Sequence, residues 1–99
     1  MSDTDSPIKQ VPYDNLKTWS THRVGCGFMN SFSVIKDYPD EIRNLETIIR
    51  VLCDRPFDER LAVYKEINLH LKSNIEQEDY ERAIVLRDMK KYFLRRVLD

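Results

Sequence analysis

The chain has 99 residues, 41% of them hydrophobic and 33% charged, with a formal net charge of −1. That length suits one domain with a small core, burying about 60–65% of the surface its unfolded form exposes. The near-neutral balance excludes bulk charge as a drive toward nucleic acid or an anionic membrane. Two cysteines, Cys26 and Cys53, with no C-x-x-C pair, exclude a disulfide framework and a four-thiolate zinc site built from one copy.

The N-terminal MSDTDSPIKQ is polar and acidic, with no basic stretch ahead of an apolar one, so no secretory signal is expected. Apolar runs reach only a few residues, far short of a membrane span. The expectation is a cytoplasmic protein, with residues 1–10 a disordered tail and 11–99 a single domain. Charge is uneven along it: residues 37–79 carry six basic and eleven acidic groups, and residues 80–99 six basic and three acidic. An acidic middle and a basic end can orient a partner.

Residues 11–36, VPYDNLKTWSTHRVGCGFMNSFSVIK, hold both glycines of the protein. Phe28, Asn30, Phe32 and Val34 alternate imperfectly with Met29, Ser31 and Ser33, a weak strand signal, so an irregular segment or short β-hairpin is expected here. From Tyr38 onward the pattern is helical. Pro39 suits a first helical position, and Asp40 and Glu41 favour the positive end of the dipole. Ile42, Leu45, Ile48, Ile49 and Leu52 make one apolar stripe, predicting a helix over 38–55 that stops before Pro56.

Pro56 opens a second helix, expected over 57–77, with Leu61, Tyr64, Ile67, Leu71 and Ile75 as its stripe. Glu78-Asp79 offers an N-cap for a third, over 79–97, carrying Tyr80, Ala83, Ile84, Leu86, Phe93 and Val97. Lys and Arg crowd its last turns, matching the negative end of its dipole. The expected fold is mainly α: a three-helix arrangement ending in an antiparallel helical hairpin, behind an irregular or short β N-terminal segment.

The segment INLHLKSNIEQEDYERAIVLRDMKKY, residues 67–92, resembles the UVR motif, the helical hairpin of the UvrB/UvrC type. Ile67, Leu71 and Ile75 keep the family's apolar spacing, Glu78-Asp79 is its acidic turn, Tyr80-Glu81 replaces Phe-Glu, Ala83-Ile84 stands for an alanine pair, and Leu86-Arg87-Asp88 is intact. Met89 and Lys90 depart from the pattern, as does Ile84. The resemblance implies a non-catalytic adaptor or regulatory protein whose hairpin docks on another protein. The partner would be another protein, with one bearing a hairpin of the same kind, or a second copy of this chain, among the candidates. Tyr80, Arg82, Ala83, Leu86, Arg87 and Met89 are the expected docking residues. Physically, Tyr80 can plug the space between the helices, Ala83 lets them approach, and Arg87 needs an acid from the facing helix, such as Glu66, or from another chain.

Other chemistries have thinner support. His22 and Cys26 lie four apart, with Cys53 and His70 elsewhere, and have the types for a Cys–His nucleophile pair or a mixed zinc site. No flanking signature accompanies them, so neither catalysis, a metal nor a cofactor is expected. Gly25-Cys26-Gly27 lacks the Lys-Ser or Lys-Thr of a phosphate loop and reads as a turn. Arg82, Lys90, Lys91, Arg95 and Arg96 give the third helix a basic tail that could touch nucleic acid. Glu81, Asp88 and Asp99 interrupt that tail, and the pI is near 6.1.

Overall fold

A computed structural model describes residues 12–99. The expected tail, residues 1–10, lies outside the described residues. Helix α1, Tyr13–Leu16, is a single turn that buries Leu16. Helix α2 spans Thr21–Val34 and starts at Ser20, whose Oγ accepts the Arg23 N–H at 3.2 Å. Such a cap satisfies one of the four orphan N–H groups of the first turn.

The described residues contain no strand, and α1 and α2 stand where an irregular segment or short β-hairpin was expected. Val24, Phe28, Ser31 and Ile35 recur every three or four residues, and Val24, Phe28 and Ser31 are fully buried. Phe28 and Phe32, one turn apart, stack with centroids 6.2 Å apart. The alternation of Phe28, Phe32 and Val34 is equally compatible with a helix, and burial against two other helices decides between the periods. Gly25-Cys26-Gly27 is not a turn but mid-helix, where each glycine costs about 1 kcal/mol relative to alanine. The cost is offset by packing on two sides. A Cβ at Gly25 would meet Val63 Cγ1 and Cγ2 at 3.0 Å, while one at Gly27 would meet Ile48 Cδ1 at 3.5 Å.

Helix α3 covers Glu41–Cys53, within the expected 38–55. It begins after a turn in which the Glu41 and Ile42 N–H groups donate to the Tyr38 and Pro39 carbonyls at 2.9 and 3.1 Å, so Pro39 precedes the helix rather than opening it. Leu45, Ile48, Ile49, Val51 and Leu52 are buried, whereas Ile42, expected in the same stripe, is 42% exposed. Helix α4, Phe57–Glu76, and helix α5, Tyr80–Phe93, follow as an antiparallel hairpin. A π-helical segment, Leu94–Leu98, closes the chain.

Among the described residues the result is five helices and a terminal segment rather than three helices. Helix α2 packs mainly on α3 and crosses to α4 and α5; α4 packs mainly on α5; α1 rests on α3, and the π-helical segment on α3 and α4. Phe28, Leu45, Leu52, Ile67, Leu86, Met89 and Phe93 form the centre of one continuous core. Arg60 Nη1 donates to the Val97 carbonyl at 2.6 Å, satisfying one of the free C=O groups at the chain's helical end. No helix among the described residues is long and apolar enough to cross a membrane.

Candidate functional site

The α4–α5 hairpin turns on three residues. The Asp79 N–H donates to the Asn74 carbonyl at 2.8 Å and the Glu78 N–H to the Ile75 carbonyl at 3.0 Å. Glu78 has φ 60°, the left-handed conformation that ends a Schellman motif. Asp79 then caps α5 through Oδ1, which accepts the Arg82 N–H at 3.3 Å.

The six expected docking residues divide into two sets. Ala83 (7% exposed), Leu86 (2%) and Met89 (0%) are core, and they are unavailable to a partner while the domain is folded. They repeat every three residues on the face of α5 that turns inward, so the fold's own packing consumes them. Tyr80, Arg82 and Arg87 are exposed. Tyr80, expected as a plug between the helices, is 59% exposed instead. Among the described residues Arg87 pairs only with its neighbour, Nη2 to Asp88 Oδ1 at 3.6 Å, both side chains more than half exposed. The Glu66 carboxylate expected for it is taken by His22.

No residue from 68 to 82 is buried, so the distal half of the hairpin extends beyond the core. Leu69, Ile75, Tyr80 and Ile84 are 67%, 49%, 59% and 50% exposed there. Tyr80, Ile84, Arg87 and Lys91, spaced four, three and four apart, share one outward face of α5, and all four are exposed. Ile84, which departs from the second alanine of the UVR pattern, was not among the expected docking residues.

A second constellation joins α2 to α4. His22 Nδ1 lies 2.9 Å from Glu66 Oε2, and Cys26 Sγ lies 3.7 Å from His22 Nε2. Thr21, His22, Glu59, Ala62, Val63 and Glu66 line a cleft of about 220 Å³ beside them. The Thr21 hydroxyl donates to Glu59 and accepts from Arg55 Nη1 at 2.8 Å, which pins the wall of the cleft to the start of α4. Burial pushes the Cys26 thiol above its ordinary range, and the Glu66 charge adds to the shift. A thiol held protonated in this way is a poor nucleophile in the free protein. The His22–Cys26 spacing was visible as a helical i,i+4 pair, but Glu66 lies 44 positions away and no local signal marked it. Cys53 is elsewhere, its Sγ 3.5 Å from the Arg96 carbonyl, and His70 is exposed on α4.

Protein-family models, curated proteins and solved structures were all compared with the chain. None matches. The UVR resemblance therefore stands on the residues of the hairpin alone.

Proposed function

We propose that this chain is a small non-catalytic adaptor or regulatory protein of the cytoplasm that docks on another protein through its UVR-like hairpin. The observation that supports this reading is the outward face of α5, where Tyr80 and Ile84 stay 59% and 50% exposed one turn apart. Arg87 and Lys91 continue that face as a basic end. Two large apolar side chains on a projecting element contribute little to their own core, and covering them with a partner removes apolar surface from water. The partner that fits is a second helical hairpin with an apolar centre and an acidic end, in another protein or in a second copy of this chain. The docking set keeps Tyr80 and Arg87 from the expected six and adds Ile84, while Ala83, Leu86 and Met89 leave it as core.

The test compares the wild-type chain with a Tyr80→Ser/Ile84→Asp variant in capture from a lysate of the native host and in self-association by sedimentation. The variant keeps its helical circular dichroism, because both positions are exposed, and loses the partner. Retention of the partner by the variant, or a wild-type chain that captures nothing and stays monomeric, overturns the reading. Leu86→Asp is unsuitable here, because a buried charge at a core position unfolds the domain.

Nucleic acid held by the basic end of α5 is the second reading, favoured by the exposure of Arg82, Arg87, Lys91 and Arg95. Arg96 is already committed to Glu46 Oε1, 2.7 Å away. A phosphate-driven complex weakens steeply as salt is raised, whereas an apolar docking contact barely changes.

A further inference from the structure

We propose that His22, Cys26 and Glu66 form a binding site for a divalent transition-metal ion of the zinc class. The three side chains supply an imidazole nitrogen, a sulfur and a carboxylate oxygen, the donor types that such ions take. One donor atom from each lies within 4.8 Å of the other two. Zinc bonds to these atoms are about 2.0–2.3 Å, so ligand atoms around a tetrahedral ion stand about 3.3–3.7 Å apart. Cys26 Sγ and His22 Nε2 already stand at 3.7 Å. Glu66 Oε2 now lies 2.9 Å from the opposite ring nitrogen, and on binding its carboxylate leaves Nδ1 and swings toward the Nε2 side to ligate the ion.

Backbone packing holds the ligands in place. His22 and Cys26 are one turn apart on α2 and so lie on the same face. Gly25 seats that helix against Val63, where a Cβ would come within 3.0 Å of both methyl groups, and Val63 is one turn before Glu66 on α4. The close approach that brings the two helices together also brings the third ligand to the first two. Three protein ligands leave a fourth tetrahedral position for water, and two of the three, His22 and Glu66, also line the cleft beside Thr21 and Glu59. On binding, the Cys26 thiol gives its proton to solvent and the thiolate takes the metal. The site shares no residue with the outward face of α5 and does not depend on hairpin docking.

The probe is Co²⁺ added to the reduced, chelator-treated full chain, followed by displacement with Zn²⁺. One equivalent of Co²⁺ is expected to give a thiolate-to-metal charge-transfer band with the visible bands of a four-coordinate ion, and Zn²⁺ to abolish both. Cys26→Ser removes the charge-transfer band and Cys53→Ser leaves it intact. His22→Gln and Glu66→Gln each weaken the affinity about 10-fold or more. Saturating Zn²⁺ raises the melting temperature of the wild type and not that of Cys26→Ser, because only the folded wild type holds the ion. Circular dichroism of each apo variant shows that the fold is retained. No charge-transfer band in excess Co²⁺, or a band that survives Cys26→Ser, overturns the site and leaves the cluster as a surface hydrogen-bond network.

Discussion

Arg96 grips Glu46 with both ends of its guanidinium, Nη2 to Oε1 at 2.7 Å and Nη1 to Oε2 at 3.0 Å, and Nη1 also donates to the Tyr92 hydroxyl at 2.7 Å. The Arg96 hydrogen bonds hold the Glu46 carboxyl below its usual range, against the opposing effect of burial. A carboxylate whose folded pKa is depressed contributes stability above its unfolded value, near pH 4.3, and that contribution disappears as pH falls through the folded value. The side chains are 36% and 44% exposed, so water screens the pair and its worth is held to about 1 kcal/mol or less. Denaturation midpoints measured from pH 7 down to acid should fall below about pH 4, and Glu46→Gln should flatten part of that decline. Counted from the sequence, Arg96 is one more cation of a basic tail. Its real partner lies 50 positions away, a distance over which no local pattern carries information.

Among the elements, the turn between α4 and α5 carries the clearest test. Glu78 occupies the left-handed position of the Schellman motif, where a side chain with a Cβ is strained by about 1–2 kcal/mol. Glycine relieves that strain but loses more entropy on folding, so Glu78→Gly should stabilise the domain by up to about 1 kcal/mol. Asp79→Ala should cost about 0.5–2 kcal/mol by removing the α5 cap. Urea denaturation of the two variants checks both signs. The hairpin's position was legible in the sequence because its signals are local: apolar spacing, an acidic cap and Pro56 ahead of α4. Helix α2 was not legible, because two glycines in three residues mimic a turn. Their role as contact points for Val63 and Ile48 exists only once α4 and α3 are in place. The direction in which α5 turns was equally hidden. Its apolar residues surround much of the helix, and the core selected Ala83, Leu86 and Met89, leaving Tyr80 and Ile84 outside.

The whole molecule is tied together by rings. Phe28 of α2 meets Phe93 of α5 edge-on at 5.1 Å, Tyr64 of α4 stacks on Phe93 at 6.3 Å, and Tyr92 lies 6.3 Å from Phe28. Phe93→Ala removes a fully buried ring from the meeting point of three helices and should cost about 3–5 kcal/mol. A domain of this size has about 5–15 kcal/mol in total, so the variant should be marginal at 25 °C and cooperative unfolding should shift to low urea. A double-mutant cycle of Phe28→Leu with Phe93→Leu should show about 0.5–1.5 kcal/mol of coupling, the excess of an edge-to-face pair over simple area burial. The sequence by itself determined the helical class of residues 41–93 and the place of the hairpin turn, because periodicity, caps and prolines act between neighbours. Only the tertiary structure decided which face of α5 is free, that residues 21–34 are helical, and that Glu66 meets His22 and Cys26. Those outcomes depend on which distant helix covers each surface, and close packing sets that choice once the whole chain has folded.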